Sequence, residues 1–345
     1  MRRTRAITAL VSAALLLAGF SRSASRKPVP AVPSRAFQFT TVVHVPALPS
    51  GSRQLRLWIP LPYQDAYQSI TQLQIKSPVP YRLDREPEYG DRYAYLAANA
   101  SKTPGPFDIT ISFHARRFEH RVSLTPSSRP SSAPRLELAR FLRPDSLVPV
   151  DGKIADLSRE QTAGATQPLA KARKLYDYVI ATMHYDHDGK DWGRGDALWA
   201  CDAKHGNCTD FHSLFISMAR AAGVPARFEI GFPLPSDSHQ AAITSYHCWA
   251  EFCVQGIGWI PIDASEAWKH PEKINYFFGA TDTNRLMMTL GRDIRLQPAQ
   301  AGGPLNYSVY PYAELDGKPF TELKNDYSFR DDPAPVGKPA LARGN

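Results

Sequence analysis

Three residues of different chemical type recur at workable spacing. Cys208 lies in Gly206-Asn207-Cys208-Thr209-Asp210-Phe211, His247 follows 39 residues later, and Asp263 another 16 after that. A thiol, an imidazole and a carboxylate can together run acyl chemistry. The thiolate attacks a carbonyl carbon, the imidazole moves the proton, and the carboxylate holds the imidazole in one tautomer. A buried inert cysteine and a structural strand histidine are the plainer readings of Cys208 and His247 taken singly. The three together, each in a fitting local setting, favour chemistry.

The setting of Cys208 is the start of a helix. Phe211, Leu214, Phe215, Met218, Ala219 and Ala222 recur at i, i+3, i+4, i+7, i+8 and i+11, the stripe of a helix with one buried face. Asn207 suits the N-cap, which puts Cys208 at N1 and the acid Asp210 at N3. Gly223 and Pro225 close the helix. At N1 the unsatisfied backbone N–H groups and the helix dipole favour thiolate over thiol.

His247 belongs to a strand. Ser245 to Val254 alternates, with Tyr246, Cys248, Ala250, Phe252 and Val254 on one side and His247, Trp249, Glu251 and Cys253 on the other. Gln255-Gly256-Ile257-Gly258 turns the chain into a second strand, Trp259 to Asp263. If Val254 paired with Trp259, His247 and Asp263 would face opposite ways. Bringing them together requires an odd-length loop or a bulge between Gln255 and Pro261, which Gly256, Gly258 and Pro261 permit.

The runs Gly-Asn-Cys-Thr-Asp-Phe, Ala-Arg-Ala-Ala-Gly-Val-Pro-Ala-Arg-Phe, Tyr-His-Cys-Trp-Ala-Glu-Phe and Gly-Trp-Ile-Pro-Ile-Asp resemble the core of the transglutaminase-like superfamily. The likeness covers roughly 171–263 and extends weakly to about 320. It implies a papain-like triad with Cys208 as nucleophile, His247 as base and Asp263 as orienter. It leaves the reaction open, since the family holds cross-linkers, amidases, peptidases and inactive members. The resulting expectation is an enzyme cleaving amide bonds of peptides or proteins through a Cys thioester. Acyl transfer to an amine, or a non-catalytic binding module, are the alternatives.

Trp199 and Trp249 are candidates to line the substrate groove, with core packing as the plainer role. Cys201, His205, Cys208 and His212 could suggest zinc, but that site would consume the nucleophile and lacks the usual paired spacing. Asp186 to Asp191 resembles a calcium loop too short to serve as one. No cofactor or metal is therefore expected.

At 345 residues and 43% hydrophobic content the chain can bury a sizeable core. Of the net charge of +8, +7 lies within the first 35 residues, so no nucleic-acid partner is implied. Met1 to Arg5 is basic and Ala6 to Gly19 apolar, which reads as a signal peptide over 1–24. Phe20 stands where a lipoprotein would carry its lipidated cysteine. The chain is expected to be exported to the periplasm or outside, and membrane-anchored if the signal stays uncleaved. Of the four cysteines, one disulfide at most is open to Cys201, Cys248 and Cys253 once Cys208 is free; Cys201 with Cys248 is possible, and three reduced, buried cysteines fit the sequence equally well.

The fold class expected is α+β: a transglutaminase-like, papain-like core over 135–320, preceded by a small antiparallel β-sandwich over 37–124. Linkers fall at 25–36 and 125–134, and 321–345 reads as a tail. The partner implied is a peptide or protein substrate. Oligomeric state is not legible.

Overall fold

Alternating apolar residues build most of the molecule. The computed structural model describes residues 32–102, 105–125 and 135–333. The expected signal peptide, most of the second linker and the end of the expected tail lie outside the described residues. The described residues open with seven strands: β1 (Ser34–Val45), β2 (Gln54–Pro60), β3 (Gln68–Lys76), β4 (Tyr81–Arg85), β5 (Arg92–Asn99), β6 (Phe107–Phe118) and the short β7 (His120–Arg121). Helices α1 (Arg135–Arg140), α2 (Gly152–Gln161) and α3 (Pro168–Thr182) follow, then β8 (His184–Tyr185), α4 (Ala197–Ala203), β9 (His205–Gly206) and α5 (Cys208–Ala221). Next come β10 (Ala226–Pro233), β11 (Gln240–Ile243), β12 (His247–Val254), β13 (Gly258–Ile262) and α6 (Ala264–Lys269). The chain ends through β14 (Ala280–Thr281), β15 (Arg285–Leu290), β16 (Tyr312–Leu315), β17 (Lys318–Pro319) and β18 (Lys324–Asp331).

Among the described residues the strands form two five-stranded sheets, ordered β11-β18-β1-β6-β3 and β17-β16-β2-β5-β4, a four-stranded sheet ordered β13-β12-β10-β15, and two two-stranded pairs, β14-β7 and β8-β9. Val43, Ile109 and Ile111 of the first sheet share one core with Leu55, Leu57 and Leu96 of the second. This is the expected antiparallel sandwich, joined to an α/β core, and the α+β class holds. Its membership differs from expectation. Four strands from beyond residue 135 (β11, β16, β17 and β18) complete the two sheets. β18 pairs with β1 along its whole length, from His44 opposite Lys324 to Phe37 opposite Asp331. Residues 324–331, expected in a tail, are thus a strand. Without β18 the β1 edge would stand open, a row of unpaired N–H and C=O groups that folded proteins cover.

Helix α5 sits against the four-stranded sheet, with Phe215 and Phe252 rings 6.1 Å apart. Each of Phe211, Phe215 and Phe252 is fully buried, worth about 2–3 kcal/mol apiece. The sequence stripe predicted one buried face, but every residue from Cys208 to Arg220 is buried. The polar side has partners to match. Arg292 Nη1 donates to Ser213 Oγ at 2.7 Å, and Arg220 Nη1 donates to Asp145 Oδ2 at 2.6 Å. Burial of such groups is tolerable because each is hydrogen-bonded.

Candidate active site

The N-terminus of α5 is fixed by reciprocal capping. Thr209 N donates to Asn207 Oδ1 at 2.9 Å, and Asn207 N donates to Asp210 Oδ2 at 3.0 Å. This is a capping box with Asn207 at the cap and Cys208 at N1, as the sequence predicts. Asp210 does more than close the box. Its carboxylate also accepts from Gly193 N at 2.7 Å and Gly195 N at 3.0 Å, pinning the preceding loop to the helix. Gly206 has φ +138°, and a Cβ there would meet Asp210 Oδ2 at 2.3 Å, so glycine is required at this approach. Tyr246 bridges back over the helix start, its hydroxyl 3.0 Å from Asn207 Nδ2 and 2.9 Å from Thr209 Oγ1.

His247 and Asp263 come together through the hairpin. Val254 pairs with Gly258 and Ala250 with Ile262, so the loop is the three residues 255–257. Continuing that register sets Asp263 opposite Trp249, on the face that also carries His247. The odd-length loop is the irregularity the sequence required. His247 Nε2 lies 2.7 Å from Asp263 Oδ2. The His247 side chain also interacts with the Cys208 thiol. Cys208 is 2% exposed and His247 7%.

The electrostatics follow from these contacts. Burial opposes ionisation of Cys208, but hydrogen bonds from Cys248 and His247 and the His247 charge outweigh it and hold the thiol well below its usual range. Burial likewise opposes a charged His247, yet the Asp263 carboxylate and the Cys208 contact push it up to about 10. Asp263 is held well below the carboxylate range despite burial, by His247 and then Arg285. Both shifts favour thiolate and imidazolium over the neutral pair.

Asp263 is fully used. It is the N-cap of α6, with Oδ1 accepting from Ser265 Oγ and Glu266 N, both at 3.0 Å. Oδ2 accepts from Arg285 Nη1 at 2.9 Å as well as facing His247. Glu251, on the same strand face as His247, is committed elsewhere: it accepts from Arg227 Nε at 2.8 Å and pairs with His120 Nδ1 at 3.1 Å.

Three neighbours were not legible in the sequence. Cys248, on the opposite strand face by alternation, sits beside His247 at the start of β12. Its Sγ is 3.8 Å from Thr209 Oγ1 and 3.7 Å from His212 Nδ1, and it hydrogen-bonds Cys208. His212 lies one helical turn after Cys208, a spacing that could have flagged it. Arg285 comes from β15, and no local signal announces it.

The two groove tryptophans are not alike. Trp249 is fully buried and cannot line a groove: Nε1 donates to Glu229 Oε2 at 2.5 Å, and Arg285 lies over its ring at 5.0 Å. Its strand face is covered by charged side chains rather than left to solvent. Trp199 is half-buried on α4, edge-on to His205 at 5.1 Å. All four cysteines are buried free thiols. Among the described residues, no group of three or more His, Cys, Asp or Glu side chains is arranged to hold a metal ion. His205 instead pairs with Asp186 at 2.7 Å.

A family model described as transglutaminase-like superfamily matches residues 155–264, the stretch from α2 through Asp263. Over these residues the chain is similar to a transglutaminase-like core. An uncharacterized protein of Haemophilus influenzae is 25% identical over 333 residues, covering 84% of this chain and 90% of its own. A crystal structure of a candidate cysteine protease from Cytophaga hutchinsonii superposes with a TM-score of 0.59 at 14% identity, over 87% of this chain and 98% of that one. The periplasmic domain of TgpA from Pseudomonas aeruginosa matches with a TM-score of 0.36 at 17% identity, over 70% of this chain and 90% of that one. The match supports a thiol enzyme in general. Among the described residues, no helix is long and apolar enough to cross a membrane.

Proposed function

We propose that this protein is an exported thiol hydrolase that cleaves amide bonds in peptides or proteins. The observation that carries the reading is the chain of contacts from Cys208 through His247 to Asp263, with Asp263 2.7 Å from His247 Nε2. The Cys208 thiolate attacks the substrate carbonyl. The N1 backbone N–H of Cys208 is suited to the developing oxyanion, because helix-start donors have no intrahelical acceptor. His247, already protonated, delivers its proton to the leaving amine, and a thioester remains on Cys208. His247 then takes a proton from water as it attacks the thioester, releasing a carboxylic acid and restoring the Cys208 thiolate beside a protonated His247.

Hydrolysis is preferred to transfer onto an amine on the strength of the Cytophaga hutchinsonii neighbour, described as a candidate protease. Export rests on the basic and then apolar first 24 residues. The test is incubation of a defined peptide mixture with wild-type protein and Cys208→Ala in ¹⁸O water containing cadaverine. New carboxyl termini or deamidated glutamines bearing ¹⁸O, absent with Cys208→Ala, support hydrolysis. Cadaverine adducts alone would make it a transglutaminase. Cleavage that persists in Cys208→Ala would remove the thiol from the mechanism.

A further inference from the structure

His212 lies four residues beyond Cys208, on the same side of α5. It is completely buried. Its Nδ1 is 2.7 Å from the Cys208 carbonyl oxygen, and the backbone N–H of Ala264 donates to its Nε2 at 3.0 Å. These two contacts determine the ring's state. A carbonyl can only accept, so Nδ1 carries the hydrogen. A backbone N–H can only donate, so Nε2 carries the lone pair. His212 is therefore neutral, in the Nδ1–H tautomer.

The two partners are not arbitrary. One is the nucleophile's own peptide group. The other is the peptide immediately after Asp263, in the first turn of α6. His212 thus ties the Cys208 end of α5 to the Asp263 end of α6, while His247 reaches the same two side chains. We propose that His212 is a positioning residue that holds Cys208 and Asp263 at the spacing His247 needs. The proposal rests on the reading of Cys208, His247 and Asp263 as a working triad.

The charge state matters as much as the contacts. The groups facing His212 are Cys208, His247, Asp263 and Cys248. Its Nε2 is 3.6 Å from Asp263 Oδ1. A proton on Nε2 would break the Ala264 contact and turn His212 into a second cation competing with His247 for Asp263. Burial lowers the pKa of His212 and guards against that. Loss of the ring would leave the Ala264 N–H as a buried donor without a partner, which is costly and frees the start of α6 to shift.

Two measurements decide. In protein labelled with ¹⁵N-histidine, two-bond ¹H–¹⁵N correlation spectra across pH 5 to 9 should show His212 as a non-titrating Nδ1–H tautomer. An Nε2–H tautomer, or a His212 that titrates in that range, overturns the proposal. In parallel, the pH midpoint for alkylation of Cys208 by iodoacetamide is read in wild type, His212→Phe and His212→Gln. Phenylalanine should raise the midpoint by about one pH unit, roughly a tenfold loss of rate at a pH below it. Glutamine offers one donor and one acceptor and should restore most of the wild-type midpoint. A phenylalanine variant that folds and keeps the wild-type midpoint overturns the proposal. If that variant does not fold, the spectra decide alone. Failure of the triad itself would appear separately, as a wild-type Cys208 that stays unlabelled at pH 6.

Discussion

His247 Nε2 and Asp263 Oδ2 lie 2.7 Å apart because the turn between their strands holds three residues rather than four. With the register shifted by one, the carboxylate would face α5 and the imidazole would have no anion. Asp263→Asn should keep the fold, since an asparagine oxygen can still cap α6 in place of the bond to Glu266 N. It removes the charge that holds His247 protonated and offers an amide donor where an acceptor is needed. Turnover should fall by about 10³–10⁴-fold, with the melting temperature changed far less. A loss under tenfold in kcat would show that Asp263 does not orient His247.

The thiols should separate cleanly by reactivity. Cys208 is held as thiolate by Cys248 and His247, whereas burial pushes Cys248 well up and raises Cys253 to about 11. Iodoacetamide at pH 6, followed by peptide mass mapping, should modify Cys208 at least about tenfold faster than Cys248 or Cys253. The ion pair should also have an alkaline limit. His247, raised to about 10, stays protonated until the pH passes that value. Turnover needs its proton for the leaving amine, so kcat should decline as pH rises through about 10. A decline centred near 6.5, the ordinary histidine value, would mean that Asp263 does not support His247.

The site was legible where it depends on local pattern. The Phe211–Ala222 stripe, the Asn207 cap and the alternation from Tyr246 to Val254 each state an element and a face within a dozen residues. The hairpin parity could be posed from the sequence but not solved, since even- and odd-length loops both suit Gly256 and Gly258. The remainder depends on contacts between distant segments. Nothing near Lys324 says that it pairs with His44, some 280 residues away, so the strand was assigned to a tail. Tyr307 to Tyr312 has strand-like composition, but β16 begins at Tyr312. Tyr307 and Tyr310 instead pack around Tyr246, with ring centroids 5.8 and 6.1 Å from it. Trp249 was misassigned for a related reason. Its face of β12 looks polar in sequence, but Glu229, Arg285 and Glu251 bury it in a paired charge network.

Asp210 should be a larger stability determinant than an ordinary acid at a helix start. Its carboxylate accepts three backbone N–H groups, from Gly193, Gly195 and Asn207. Replacement by alanine strands all three in a buried setting, and each unsatisfied donor costs about 1–3 kcal/mol. Asp210→Ala should lose at least about 2 kcal/mol in urea unfolding. Asp210→Asn should lose less, because it retains an acceptor oxygen. Near-equal stability of the alanine variant and wild type would mean that the 193–195 loop is held by other contacts.

Glu229 gives a pH signature apart from the triad. It is buried, accepts the Trp249 indole N–H, and shares Arg227 with Glu251. Burial first, and then the Glu251 charge, raise it to about 8 from an ordinary 4.5. A carboxyl raised in the folded state binds its proton more tightly there than in the unfolded chain. Its favourable contribution is complete below about 4.5 and is lost as pH rises through about 8. Glu229→Gln mimics the protonated form at every pH and keeps an acceptor for the Trp249 indole. The variant should match wild type near pH 5 and exceed it near pH 8.5, by a melting-temperature difference on the order of 5 °C. Because the comparison is between variants at each pH, titration of Cys208 and His247 is common to both and drops out. A variant less stable than wild type at pH 8.5 would show that the charged Glu229–Arg227 contact outweighs the burial of the carboxylate.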